Sequence, residues 1–235
     1  LNEAITKNTS IEYLPTLVES SLHRIPIEII DKFFEYYQIV LSEKRYSKRI
    51  RVLDVLLASM ILIFSIPLFL LAFILIKLED GGELFFRQER IGFHEKTLRV
   101  LKFRTMNAVI DESGEELSPQ STKVGKWLRK FRINEFPQLL NVIKCEMSLV
   151  GPRPDIPSIY RICKETIPYY KYRQQILPGL TGVSIIRMGH IDKFDHDVFS
   201  KRLSYDLYYV KNLNASIYIE ILLRTFETVL FGKER

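Results

Sequence analysis

Two cysteines, Cys145 and Cys163, are too few for the disulfide framework that staples small secreted folds. There is no Walker loop and no glycine-rich dinucleotide fingerprint, so neither of those phosphate cradles is expected. No Ser-His-Asp arrangement stands out, and no internal repeat recurs. His190 and His196 lie near Asp192, Asp195 and Asp197, but the spacing fits no zinc signature and they read as ordinary loop residues. The chain opens on Leu1 without an initiating Met, as part of a longer protein would. What is there in quantity is apolar: 47% of 235 residues, which excludes global disorder and allows one good-sized domain with appendages.

Charge is missing altogether from one long stretch. Between Asp54 and Lys77 the chain reads VLLASMILIFSIPLFLLAFILI, about 22 residues, roughly 33 Å as a helix and enough to cross a bilayer's hydrocarbon core. Pro67 sits near its middle, removes a backbone donor and crowds the carbonyl four residues back. A spanning helix accommodates this as a kink. A helix–break–helix that enters and leaves by one face uses it as the turn, with Ser65 placed to satisfy a freed carbonyl. A buried core helix is disfavoured because the apolar residues surround the whole helix. The run starts too late and is too long for a cleaved signal peptide. Its flanks favour the re-entrant form. Lys44, Arg45, Lys48, Arg49 and Arg51 precede it, and Arg87, Arg90, Lys96, Arg99, Lys102 and Arg104 follow it. Basic flanks prefer the cytoplasmic side and anionic headgroups, so the modest net charge of +6 is concentrated beside the membrane.

Upstream, residues 16–46 read as helical; Ile27, Ile30, Phe34, Tyr37 and Leu41 recur three or four apart, and Pro26 suits the first turn of that run. That helix packs on a domain surface or lies in the membrane interface. Downstream, Gly81-Gly82 marks a turn, residues 83–87 and 97–103 read as short strands, and Gly92 lies in the loop between them. Residues 107–121 are polar and read as a surface loop. Residues 122–131 and 139–143 read as helices, the second following Pro137. Residues 158–175 read as a Tyr-rich helix, and 183–187 as a strand after the LPGLTG loop. Residues 215–231 read as a last helix, capped by Asn214 and stopped by Gly232. The expected class is α+β: a mainly helical domain carrying short strands, attached to a membrane-embedded helix pair.

The chemistry-bearing residues are mostly cations. On a strand, Lys102 and Arg104 share a face, suited either to a phosphate or to a solvated edge. Lys123, Lys126, Arg129 and Lys130 lie along one side of a helix. Gly151-Pro152-Arg153-Pro154 cannot be regular helix; it is a rigid turn that presents one guanidinium, to a phosphate or simply to solvent. The residues alone point to a phosphate-bearing substrate at a bilayer surface, with no nucleic-acid partner and no specific reaction.

Taken together, the runs RVLDVLLASMILIFSIPLF, FFRQERIG, LKFRTM, VGKWLRKFRINEFPQLLNVIKCEMSLVGPRP, LPGLTG and YDLYYVKNL resemble the monotopic polyprenyl-phosphate phosphoglycosyl transferases, a group of bacterial sugar transferases. The match runs from about Lys48 to the C-terminus in unbroken order. The resemblance implies that a nucleotide diphospho-sugar, expected to be a UDP-sugar, gives its sugar-1-phosphate to polyprenyl phosphate and so starts a membrane-linked glycan. It implies Mg²⁺, membrane lipids as partners, and room for a homo-oligomer. It places the catalytic domain on the cytoplasmic face of the bacterial inner membrane. The layout it implies is an N-terminal linker and amphipathic helix (1–47), a re-entrant membrane helix (48–78) and a cytoplasmic transferase domain (79–235).

In that family an Asp-Glu pair, in a run of the form DE-[LF]-PQ, supplies a nucleophile that forms a covalent phosphosugar and a Glu that helps hold the metal. Here the pair falls on Asn134 and Glu135, and a neutral amide is a far poorer nucleophile than a carboxylate. Glu135, Pro137 and Gln138 match. So do Arg51 and Asp54, which anchor the membrane helix, and Pro67 in its break. Lys102, Arg104, Arg129, Arg153 and Asp206 match positions tied to substrate or phosphate. Ile66, Leu177 and Cys145 stand where the family usually has Ser, Arg and Gly. Asn134 leaves two expectations: an active transferase, or a catalytically inactive homologue that serves as a membrane scaffold or binding module.

Overall fold

The computed structural model describes residues 13–42, 47–110, 116–189, 191 and 193–231. Lys44, Arg45, His190, Asp192 and Gly232 therefore lie outside the described residues. Helix and strand are mixed, as expected. The N-terminal segment is three short helices rather than one: α1 (Leu14–Leu22), α2 (Ile27–Lys32) and α3 (Phe34–Ser42). His23 ends α1 in the left-handed conformation, and Pro26 precedes α2 instead of entering it. Ile25, Ile30, Tyr37 and Leu41 bury into the same core as Leu203, Leu207 and Val210. Glu19 accepts from Tyr37 Oη and from Lys211 Nζ, both at 2.6 Å, and fastens these helices to the rest of the chain.

The apolar stretch folds as α4 (Lys48–Phe64) and α5 (Ile66–Asp80), bent by 55°. No single described helix is long and apolar enough to cross a membrane; the bent pair, taken together, meets that test by length and composition only. Pro67 falls in the first turn of α5, where its missing N–H costs nothing. Ser65 Oγ donates to the Ile61 carbonyl at 2.6 Å. On α4, Ile50, Asp54 and Ala58 lie four apart and face the domain. The outer faces of both helices stay bare, with Leu56 62%, Phe64 79% and Leu78 80% exposed.

The anchor of this pair is polar. Asp54 accepts from Ser148 Oγ (2.9 Å), Leu149 N (2.8 Å) and Tyr218 Oη (2.7 Å). Arg51 donates to the carbonyls of Met147 (2.9 Å) and Val142. Buried charges persist only when paired and bonded in this way.

After α5 come two antiparallel hairpins. The first pairs β1 (Phe85–Ile91) with β2 (Thr97–Phe103), so its first strand starts and ends later than the expected 83–87. The second pairs β3 (Met106–Ile110) with β4 (Glu116–Ser121), where a loop over 107–121 was expected. Antiparallel strands can pair with solvent on one side, so a polar composition does not forbid them. Helix α6 (Lys123–Lys130) is capped by Thr122 Oγ1, which accepts from Gly125 N at 2.8 Å. A 3₁₀ segment (Ile133–Gln138), α7 (Leu139–Ile143) and β5 (Ser148–Val150) follow.

The expected helix over 158–175 is broken. Helix α8 (Pro157–Thr166) stops before Pro168, and a 3₁₀ segment (Tyr170–Gln175) restarts after Tyr169 turns left-handed. Strand β6 (Gly179–Thr181) pairs parallel to β5. The expected strand over 183–187 is helix α9 (Val183–Met188), which packs its buried Ser184 and Ile185 inward against α10 (His196–Asn212). Its β-branched run suggests a strand locally, and tertiary packing overrides that preference. Helix α10 was not anticipated. Asp195 caps it, accepting from Val198 N at 2.9 Å, and Asn214 caps α11 (Ala215–Phe231) through Ile217 N at 3.0 Å.

Besides the main core there is a smaller one. It joins Ala72 and Ile76 of α5, Phe103 of β2, Leu128 of α6 and Ile133. It lies under the 3₁₀ segment that carries Asn134 and Glu135.

Candidate functional site

The site is built on that segment. Arg132, left-handed at φ 55°, ends the turn after α6 and lets Ile133 drop into the small core. Two residues on, Glu135 is buried, while Asn134 is half-buried in the same turn. The carboxylate lies inside a 3₁₀ turn, directly before α7.

Arg153 meets Glu135. Its Nη2 lies 2.7 Å from Glu135 Oε1 and its Nη1 3.5 Å from Oε2, so the guanidinium fork faces the carboxylate. The turn that carries Arg153 is tightly backed. A Cβ on Gly179 would lie 2.0 Å from the Gly151 nitrogen, so only glycine permits the approach of the LPGLTG loop to the GPRP turn.

Lys102 comes in from β2, with Nζ 3.9 Å from Glu135 Oε1. Asn141 of α7 steadies this strand, accepting from Leu101 N at 3.3 Å and donating to the Arg99 carbonyl at 2.9 Å. Burial pushes the Lys102 ammonium down to about 8; Glu135 opposes the fall, and Arg153, Arg90 and Arg129 add to it. Arg129 reaches the cluster from α6 and donates to Thr105 Oγ1 at 2.9 Å. Arg90, on β1, donates to the Pro154 carbonyl at 3.0 Å, and burial with the neighbouring Arg153 holds it down at about 10. Arg153 and Lys102 thus face Glu135, and Arg90 and Arg129 stand near enough to Lys102 to act on its charge. A surplus of cations over carboxylate of this kind suits a polyanion such as a diphosphate.

Of the residues singled out from sequence, Asn134, Glu135, Lys102, Arg129 and Arg153 come together. Arg104 points elsewhere: it pairs with Asp80 and donates to the Glu83 carbonyl and Asn107. Sharing a strand face with Lys102 does not bring it to the site, because it lies beyond the end of β2. Asp206 does not reach the cluster either. It is buried on α10, where it accepts from Ser184 Oγ at 2.7 Å and pairs with Arg173 Nη2 at 2.8 Å. Arg51, Asp54, Ser65 and Pro67 belong to the helix pair described above. Arg90 was not singled out as a site residue; its signal was membership of the FFRQERIG run.

Among the described residues, no three His, Cys, Asp or Glu side chains converge. His196 lies on a helix start beside Asp197, with Nε2 3.3 Å from the Thr166 carbonyl. Mg²⁺ needs only one or two carboxylates when phosphate oxygens and waters complete its octahedron. Glu135 fits a metal ion that arrives with a diphosphate.

The family model for bacterial sugar transferases matches residues 44–232. A UDP-N-acetylgalactosamine-undecaprenyl-phosphate N-acetylgalactosaminephosphotransferase of Aeromonas hydrophila is 35% identical over 77% of this chain and 44% of its own. An undecaprenyl-phosphate glucose phosphotransferase of Komagataeibacter xylinus is 29% identical over 94% of this chain and 43% of its own. A UDP-glucose:undecaprenyl-phosphate glucose-1-phosphate transferase of Caulobacter vibrioides is 37% identical over 77% of this chain and 70% of its own. The chain spans less than half the length of the first two relatives. A cation-lined Glu135, a bent apolar helix pair and a match over most of the sequence lead to one statement: this chain belongs to the bacterial sugar transferase family.

Proposed function

We propose that this chain transfers a sugar-1-phosphate from a nucleotide diphospho-sugar, expected to be a UDP-sugar, to polyprenyl phosphate at a membrane surface. The observation that carries the proposal is the cluster of Arg90, Lys102, Arg129 and Arg153 around Glu135. The names of the relatives support it, since all three specify undecaprenyl phosphate and two specify a UDP-sugar. The bare apolar faces of α4 and α5 support a membrane site, because exposed patches of that kind mark lipid or partner contacts. In this reading the pair enters and leaves by the cytoplasmic face of the bacterial inner membrane, with lipids around it.

The chemistry needs no covalent intermediate. An oxygen of polyprenyl phosphate attacks the phosphorus that carries the sugar. The bond from that phosphorus to the bridging oxygen breaks, and the nucleoside monophosphate leaves with that oxygen. Positioning and charge stabilisation by the four cations supply the catalysis. Glu135 is the residue that would hold Mg²⁺, which when bound neutralises the diphosphate.

Asn134 favours a second reading, an inactive homologue that binds the same ligands as a scaffold. The deciding experiment incubates the chain in detergent with undecaprenyl phosphate, Mg²⁺ and a panel of UDP-sugars, and follows UMP. Lipid-dependent UMP release supports the transferase. UDP binding without UMP release from any donor supports the scaffold, and the absence of both contradicts the two readings together.

A further inference from the structure

Behind the site lies a buried group of charges that the transfer itself does not use. Arg173 and Arg202 are wired alike. Each places Nη1 on an Asp155 oxygen, Arg202 at 2.9 Å, and each places Nη2 on the Arg153 carbonyl, at 2.8 Å and 2.7 Å respectively. Tyr170 Oη adds a bond to Asp155 at 2.8 Å, and Asp206 accepts from Arg173 Nε at 3.1 Å. Two cations and two carboxylates balance inside the protein, all four side chains nearly inaccessible. The next carbonyl along the same turn, that of Pro154, is taken by Arg90.

We propose that Arg173 and Arg202 are positioning residues for the transfer: from the interior they grip the Arg153 carbonyl and so aim its guanidinium at Glu135. The assignment of a phosphate ligand to this site rests on the function proposed above; the positioning does not. Both arginines spend one nitrogen on Asp155 and the other on the same main-chain oxygen. A planar fork can make those two bonds at once, and a lysine ammonium on a flexible stem cannot hold that geometry. Asp206 then acts through Arg173, with no contact to a substrate phosphate. Helix α10 contributes to the site at a distance by carrying Arg202 and Asp206.

The test uses Arg173→Lys and Arg202→Lys in the full chain, with two readouts. The first is the rate at which phenylglyoxal modifies Arg153, mapped by peptide mass spectrometry, which needs no substrate. The second is the affinity for UDP with Mg²⁺, measured alone and in an Arg153→Ala background. With melting temperatures near that of the parent, we expect Arg153 to be labelled at least about fivefold faster and UDP to bind about tenfold more weakly. In the Arg153→Ala background the second substitution should have no further effect on UDP. Unchanged labelling of Arg153, or UDP losses that simply add, overturns the proposal. Faster labelling in a parent that does not bind UDP keeps the positioning role and removes the phosphate reading. If the lysine variants do not fold, Ser184→Ala decides, since it loosens only the hydroxyl on Asp206. A two- to threefold rise in Arg153 labelling, on the order expected for one lost bond, supports the proposal, and no rise overturns it.

Discussion

Asn134 and Glu135 are adjacent, yet neighbours on a helical turn point about 100° or more apart, so Glu135 cannot take over a nucleophile's place at Asn134. Glu135 is also engaged by Arg153. Replacing Asn134 with Asp should therefore restore a route through a covalent phosphosugar. We expect Asn134→Asp to release nucleoside monophosphate at least as fast as the parent, and on the order of a hundredfold faster where the covalent route opens. Mass spectrometry should find the adduct. Glu135→Gln should abolish release. A folded, membrane-inserted Asn134→Asp that is slower than the parent would mark the amide as functional in its own right.

Lys102 gives the site a pH dependence with a definite sign. Its ammonium is held down at about 8, so it is a cation below that pH and neutral above it. The ratio kcat/KM for the donor reports groups of the free enzyme, and should fall as pH rises through about 8. In Lys102→Arg the charge persists, and the fall should move out of the measurable range. The same alkaline fall in that variant would assign it to another group. At Cys145 the backbone is left-handed, at φ 64°, just past α7, where the family usually has glycine. Cys145→Gly should raise stability by roughly 0.5–1 kcal/mol, read as a higher melting temperature, because glycine adopts this conformation without the Cβ penalty.

Among the elements, the break between α4 and α5 is the one on which the proposed re-entrant topology rests. The reading of two apolar helices meeting at Ser65-Pro67 was legible because composition, length and proline all speak locally. Pro67→Ala should favour one straighter helix, and cysteines placed beyond Arg51 and Lys77 should then label from opposite sides of the membrane instead of the same side. Labelling that stays on one side in Pro67→Ala would show that the basic flanks alone set the topology. Helix α10 was hidden for the opposite reason. Phe199, Leu203, Leu207 and Val210 keep helical spacing, but Arg202, Ser204 and Asp206 are also buried and blur the apolar stripe. The β3–β4 hairpin and α9 were misread because the preferences of short segments yield to packing and pairing that the sequence does not display.

For the whole molecule, the site is assembled from β1, β2, α6, the 3₁₀ segment and the GPRP turn, and it sits over a core shared with α5. Legibility was uneven across it. Glu135, Lys102, Arg129 and Arg153 were found through motifs, whereas Arg173 and Arg202 were not, since a buried guanidinium that grips a carbonyl leaves no pattern in sequence. Arg104 and Asp206 were grouped with the phosphate residues by motif, and their contacts place them at Asp80 and at Arg173. The small core ties the candidate site to the bent helix pair, because Ile133 packs with Ala72 and Ile76 of α5. In the proposed reaction the bond broken lies between the two phosphates of the donor. A donor labelled with ³²P on the phosphate next to the sugar tests it directly, with undecaprenyl phosphate as acceptor. The label should leave the aqueous phase with the lipid while unlabelled UMP remains; label retained in released UDP would mean that the sugar alone was transferred, and the proposed reaction would fall.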